Sequence, residues 1–318
     1  MSTFVAEGSV QRDRFAPPAR RTVSIVDTAT NRPAANPIKV GPYASSIAIS
    51  PDGSRAYVVT SGNGSVSVVN LATNRVAVKA IKVGLYPEGI AISPDGKHVY
   101  VVNSGSNTVS AISTATNTVV AKAIKVGQAP IAIGVSPDGD RVYVTNSGDD
   151  TVSVIDTATD LAAAKAIKVG RVPLALSITP DGSRVYVADS RDDAVSVIDT
   201  ATGTADPQEI KAGDGPSAIA VTPNGRRLYV ANAKDDTVSV IDTATGKSAA
   251  EAIEVGHRPT AIAISPVARR AYITGLSGSL SVVNTKTNKP AGKVIGIGPF
   301  PLAIAISPDG TRAYIVHN

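Results

Sequence analysis

Residues 301–318 read PLAIAISPDGTRAYIVHN, two β-type segments about a tight turn, and the pattern stops there. Six earlier copies of it run on through a further pair of segments. The copies are marked by turn prolines at Pro51, Pro94, Pro137, Pro180, Pro223, Pro266 and Pro308, spaced by 43 residues except for a last interval of 42. Tyr57, Tyr100, Tyr143, Tyr186, Tyr229, Tyr272 and Tyr314 keep the same register. A fixed period of this length is the mark of a repeat architecture.

Each unit reads as four short strands. An Ile/Ala alternation such as AIAIS is followed by SPDG, which puts Pro and Gly where a type I turn takes them. A segment such as RVYVTN follows, then a polar loop, then TVSVID, the turn TATN, and an outer strand ending IKVG. β-branched residues fill these runs and turn formers bound them, and none has helical periodicity. Four strands per unit, seven times, describe an all-β, seven-bladed propeller with antiparallel blades. Small residues at Ala48, Ala91, Gly134, Ser177, Ala220, Ala263 and Ala305 fit an innermost strand crowded at the axis. Lys39, Lys82, Lys125, Lys168 and Lys211 on the outer strand guard the sheet edges. The last copy holds only inner strands, whereas RTVSIVDTATNRPAANPIKVG near the start is an outer pair with no inner strands before it. The two halves predict one composite blade that closes the ring, with residues 19–318 as the propeller and residues 1–18 as a tail.

Residues 143–146 spell YVTN, and the unit around them resembles the YVTN family of β-propeller repeats over about residues 19–318. The resemblance implies the fold. It leaves function open, because similar repeats serve in surface-layer and secreted proteins, in binders and in enzymes.

Composition narrows the chemistry. The chain of 318 residues is 43% hydrophobic but only 4% aromatic, with no Trp, so Val, Ile and Ala must build the core. It has no Cys, which excludes disulfides, Cys-ligated zinc and thiol nucleophiles. The first residues, interrupted by Arg12, Asp13 and Arg14, hold no apolar run of signal-peptide length, and no segment reaches the ~18 apolar residues of a membrane span. A cytoplasmic protein with no membrane partner is the expectation. A formal net charge of +5 is a weak argument for nucleic acid.

The repeats act as their own control, because a residue found in every copy is explained by the blade. On the face carrying the inner and outer turns, here the bottom, the inner turns read SPDGSR, SPDGKH, SPDGDR, TPDGSR, TPNGRR, SPVARR and SPDGTR. Its ring of Arg55, His98, Arg141, Arg184, Arg227, Arg270 and Arg312 is expected to pair with nearby turn aspartates. The aromatics that stack single-stranded nucleic acid are missing from it. Asp27, Asp156, Asp199 and Asp242 are read as Asx-type turn residues, and Asn103, Asn146 and Asn232 as caps of loop backbone.

The opposite, top face varies. Its loops into the innermost strands read PYAS, LYPE, QAPI, RVPL, DGPS, HRPT and PFPL. Glu88 is the one charge in the ring nearest the channel, among Ser45, Ile131, Leu174, Ser217, Thr260 and Leu302. Arg171, Asp214, His257 and Arg258 are each unique to one copy, Tyr43, Tyr86 and Phe300 add aromatic walls, and His317 ends its strand on this side. The tail, with Phe4 and Phe15, also starts here and can act as a lid, the alternative being a terminus that packs on nothing. Asp149–Asp150, Asp192–Asp193 and Asp235–Asp236 lack the ligand density of a calcium loop, and no metal or cofactor is expected. No phosphate loop, dinucleotide fingerprint or Ser-centred elbow is present.

Two functions fit. In one, the top mouth binds a small polar or anionic metabolite, with Glu88 and His257 as acid–base groups and Tyr43, Tyr86, Arg171, Asp214, Arg258, Phe300 and His317 holding the ligand. Turnover of lyase, cyclase or hydrolase type without a metal is then open. In the other, the propeller is a scaffold whose top docks a protein. Few large aromatics stand away from the mouth, which favours the first.

Overall fold

The computed structural model describes residues 21–318 except Lys79 and Lys122. The tail of residues 1–18, with Phe4 and Phe15, lies outside the described residues. Seven antiparallel sheets form seven blades. Blades 1 to 6 span residues 44–82, 87–125, 130–168, 173–211, 216–254 and 259–296. The closing blade joins Pro301–Ile306 and Arg312–His317 to Thr22–Asp27 and its outer pieces. That junction is an unbroken six-residue register from Thr22↔His317 to Asp27↔Arg312. Just past it, the Thr28 hydroxyl donates to the Gly310 carbonyl at 2.6 Å across 282 residues of chain.

The outer strand differs from the expectation of one continuous run. In blade 1 it is split into Arg75–Val76 and Ile81–Lys82, which pair with opposite ends of Ser65–Asn70. Four residues of sequence separate the two pieces where only Ser67 and Val68 separate their partners, so the pairing is interrupted by a bulge. The other blades repeat the break. Such bulges increase twist and blunt an exposed edge.

The core lies between blades. Tyr57, Val59, Val66 and Val68 of blade 1 pack with Val99, Val101 and Ile112 of blade 2, and each further boundary repeats the layer. Every register tyrosine is buried there, at 0–2% exposure. On the bottom the ring arginines do not pair with turn aspartates as expected. Five of the six cross to the next blade, where Nη1 donates to a threonine carbonyl: Arg55 to Thr114, Arg141 to Thr200, Arg184 to Thr243, Arg227 to Thr285 and Arg270 to Thr28, at 2.6–3.2 Å. At Thr28, Thr114, Thr200 and Thr243 the carbonyl is fixed because the same threonine's hydroxyl holds the inner-turn glycine carbonyl of its own blade. Asp27, Asp156, Asp199 and Asp242 accept two backbone N–H groups each from the following turn, as Asx turns do.

Candidate functional site

Each top loop crosses from an outer strand to the next innermost strand, and its residues fall into three rings. The first to arrive are Leu85, Gln128, Arg171, Asp214 and His257 and their counterparts. Next come Tyr43, Tyr86, Ala129, Val172, Gly215, Arg258 and Phe300. All seven of these have φ between 46° and 62°. Six are not glycine and one is β-branched, so the left-handed backbone is strained at almost every copy. Nearest the channel are Ser45, Glu88, Ser217 and Thr260 and their counterparts.

Side-chain oxygens of the neighbouring loops offset the strain. Asp192 Oδ2 accepts the Arg171 N–H, which enters its own blade, and Asp193 Oδ1 accepts the Gly215 N–H, which enters the next. Asp149 and Asp150 do the same for Gln128 and Val172, and Asp235 and Asp236 for Asp214 and Arg258. The aspartate pairs are therefore staples between consecutive loops. In the inner ring the hydroxyls of Ser217 and Thr260 donate to the Pro259 and Pro301 carbonyls of the next blade at 2.7 and 2.8 Å. Asn103 accepts the Gly84 N–H and donates to Thr108 and Ser110, which fixes the loop backbone as expected of a cap.

On this frame the singled-out side chains are distributed unequally. Arg171 is committed to Asp192 Oδ1 at 2.6 Å and to the Arg191 carbonyl. His257 Nδ1 lies 2.9 Å from Asp236 Oδ2. The Arg258 N–H, and after it the His257 contact, hold the Asp236 carboxyl below its ordinary range. A histidine oriented by an ionised carboxylate keeps Nε2 for proton transfer. Sequence reading weighed Asp236 only as a calcium ligand, and its histidine partner could be found only by placing two blades side by side. Glu88 is half-buried on Pro87–Ile92 in the inner ring, so it shares neither ring nor blade with His257. Asp214 and Arg258 are exposed. Tyr43, Tyr86 and Phe300 are 37%, 68% and 46% exposed, and the two tyrosine rings lie against Gly62 and Gly105 of their own blades. His317 is 2% exposed, with Nδ1 3.2 Å from the Pro299 carbonyl.

Two clefts lie away from the mouth. One of about 500 Å³ sits between blades 3 and 4, beside Arg141, Asp156 and Leu161. One of about 370 Å³ sits between blade 6 and the closing blade, and His317 borders it. Neither is lined by Glu88, His257 or Arg258. Among the described residues no group of three or more His, Asp or Glu side chains is placed to hold a metal ion. No helix among them is long and apolar enough to cross a membrane.

One buried acid was not singled out by sequence. Asp189 occupies the position of Asn103, Asn146 and Asn232 and is fully buried. Its Oδ2 accepts the Ser196 N–H, while Oδ1 has no partner. Burial pushes its carboxyl up to about 7 against the pull of Ser196. The signal was present, since the threonine that partners each asparagine, as Thr108 and Thr151 do, is Ala194 here.

Two family models match parts of the chain. That of the YNCE-like beta-propeller matches residues 121–224 and 182–271, and that of the lactonase, 7-bladed beta-propeller, matches residues 17–125. No curated protein sequence matches. Among solved structures the chain is similar to one of Kuenenia stuttgartiensis Hydrazine Synthase, at 23% identity and a TM-score of 0.77, over 89% of this chain and 94% of that one. At that identity the likeness is one of fold. The matches and the seven sheets together make this chain a seven-bladed β-propeller repeat protein.

Proposed function

We propose that the top mouth binds a small anionic metabolite with a flat or ring-shaped body. The observation that carries this reading is the order of side chains around the face. Blade 6 is entered past His257 and Arg258, the closing blade past Phe300, blade 1 past Tyr43 and blade 2 past Leu85, Tyr86 and Glu88. Four consecutive entries thus run from a cation to an aromatic arc, all on the same left-handed backbone. Arg258 is exposed and holds no carboxylate among the described residues, so it is the better anion clamp than Arg171. The aromatic rings supply faces for stacking.

Within this reading His257, oriented by Asp236, moves the proton if the ligand is turned over. The lactonase family match covers Tyr43, Tyr86 and Glu88, so lactones are the first substrate class to assay, as a hydrolase. The exposure of Leu85 and Tyr86, 64% and 68%, favours a second reading in which a protein docks on the same arc.

The test is a thermal-shift screen against fractions of a small-molecule extract. A ligand at a hundred times its Kd adds about 2.7 kcal/mol. The shift should vanish in Arg258→Ala and in Glu88→Gln, with each variant's unliganded melting temperature close to the parent's. A large fall in melting temperature for Glu88→Gln would make Glu88 structural. No shift with any fraction would reject the metabolite and leave the docking reading.

A further inference from the structure

The bottom face is as regular in backbone as the top, yet its charge is not. Five of the seven inner turns carry an aspartate at the third place, Asp52, Asp95, Asp138, Asp181 and Asp309, and in four of them it accepts the hydroxyl of the serine that opens the turn. Blade 5 keeps that hydrogen bond without the charge, because Asn224 accepts the Thr222 hydroxyl at 2.8 Å. Blade 6 places Val267 there instead. The same two blades add a second arginine beside the clasp, Arg226 and Arg269, where the others have Ser54, Lys97, Asp140, Ser183 and Thr311. Lys247, Lys286 and Lys289 extend the positive sector onto the outer turns, and no carboxylate occurs from Val255 to Pro308. Arg226, Arg269, Lys247, Lys286 and Lys289 are all exposed, and none is in an ion pair among the described residues.

Blades 3 and 4 are the reverse. Asp138, Asp140, Asp156, Asp181 and Asp199 are exposed on the same face. Of their blades' cations, Arg141 and Arg184 are occupied with carbonyls of the next blade, and Lys165 stands beside Asp156. The hydroxyl of Ser136 lowers the Asp138 carboxyl, and turn hydrogen bonds led by Thr179 bring Asp181 down to about 2, so these acids stay ionised. By net charge four consecutive blades therefore read acid, acid, base, base, blade 5 keeping Asp242 and Glu251 and blade 6 no carboxylate.

We infer that the bottom face is an interface with a second copy of this chain. A two-fold axis lying in the plane of the face, between blades 4 and 5, lays blade 5 of each copy on blade 4 of the other and blade 6 on blade 3. Each basic sector then meets an acidic one, twice over, as an isologous contact requires. Exposed Val267 on blade 6 and Leu161 on blade 3 also fall on opposed blades. An extended anionic surface such as a bilayer would meet the acidic sector as well, and a nucleic acid strand would find no exposed aromatic on the inner turns to stack upon.

The test uses charge exchange between sibling positions, so that each new residue type already stands at that turn elsewhere in the chain. One variant is Arg226→Asp with Arg269→Asp, the other Asp140→Arg with Ser183→Arg. Sedimentation velocity of the parent should show a dimer at low salt whose Kd rises about tenfold or more by ~0.5 M salt. Each variant alone should be monomeric with a parent-like melting curve, and an equimolar mixture of the two should dimerise again. A parent that stays monomeric at ~100 μM in low salt, or variants that dimerise undiminished, would overturn the inference. A monomeric parent that binds polyglutamate through Arg226 and Arg269 would assign the sector to an acidic partner and likewise overturn the second copy.

Discussion

At Asp189 a single oxygen-for-nitrogen exchange leaves a carboxyl where three sibling blades place a carboxamide. Its folded pKa lies above the unfolded value, so the folded state holds the proton more tightly. The penalty is absent below about pH 4, grows as pH rises toward about 7, and is constant above that. Asp189→Asn combined with Ala194→Thr restores the sibling network. It should leave stability at pH 4 nearly unchanged and raise it at pH 8 by on the order of 2–4 kcal/mol. Urea unfolding at the two pH values checks this, and an equal gain at both would show that packing, not ionisation, is responsible.

Among the elements, the clasp between neighbouring bottom turns has a defect. His98 stands where the other blades have arginine, and its ring lies 6.3 Å from that of Tyr100 rather than on the Thr157 carbonyl. His98→Arg supplies the missing donor and should add about 1 kcal/mol. Arg270→Ala, which leaves the Thr28 carbonyl at the closing seam with the Tyr272 hydroxyl alone, should cost about 1.5–3 kcal/mol. Differential melting curves measure both. The clasp also shows what sequence could carry. The arginine ring, the Asx turns and the composite blade were legible because each repeats in register. The arginines' acceptors were not, since a carbonyl on the next blade leaves no trace in its own side chain. Nor was the split outer strand, where NRVAVKAIKV reads as one run of β-formers and the bulge is set by pairing with Ser65–Asn70. The candidate site was legible as a list of residues unique to one copy. The rings in which they stand follow from left-handed residues such as Tyr43 and Val172, which no propensity would place there.

Over the whole molecule, every hydrophobic layer is shared by two blades, so no blade is complete by itself. Removing residues 1–39 strips the closing blade of its outer strands and leaves the edge of Arg312–His317 unpaired. The expected result is loss of a single cooperative melting transition together with aggregation through the bared edge. A truncated chain that melts in one transition near the parent temperature would show that the two remaining strands close the ring alone.

The Thr28–Gly310 bond also sets a schedule for synthesis. The two residues it joins are made 282 positions apart, which at ~5–20 residues per second is on the order of 15 seconds to a minute. Throughout that interval the first outer strand pair exists without its partner, and the ring cannot lock until the final strand leaves the ribosome. In the cell, then, this protein is born open, with Thr22–Asp27 a bare strand edge while the rest is made.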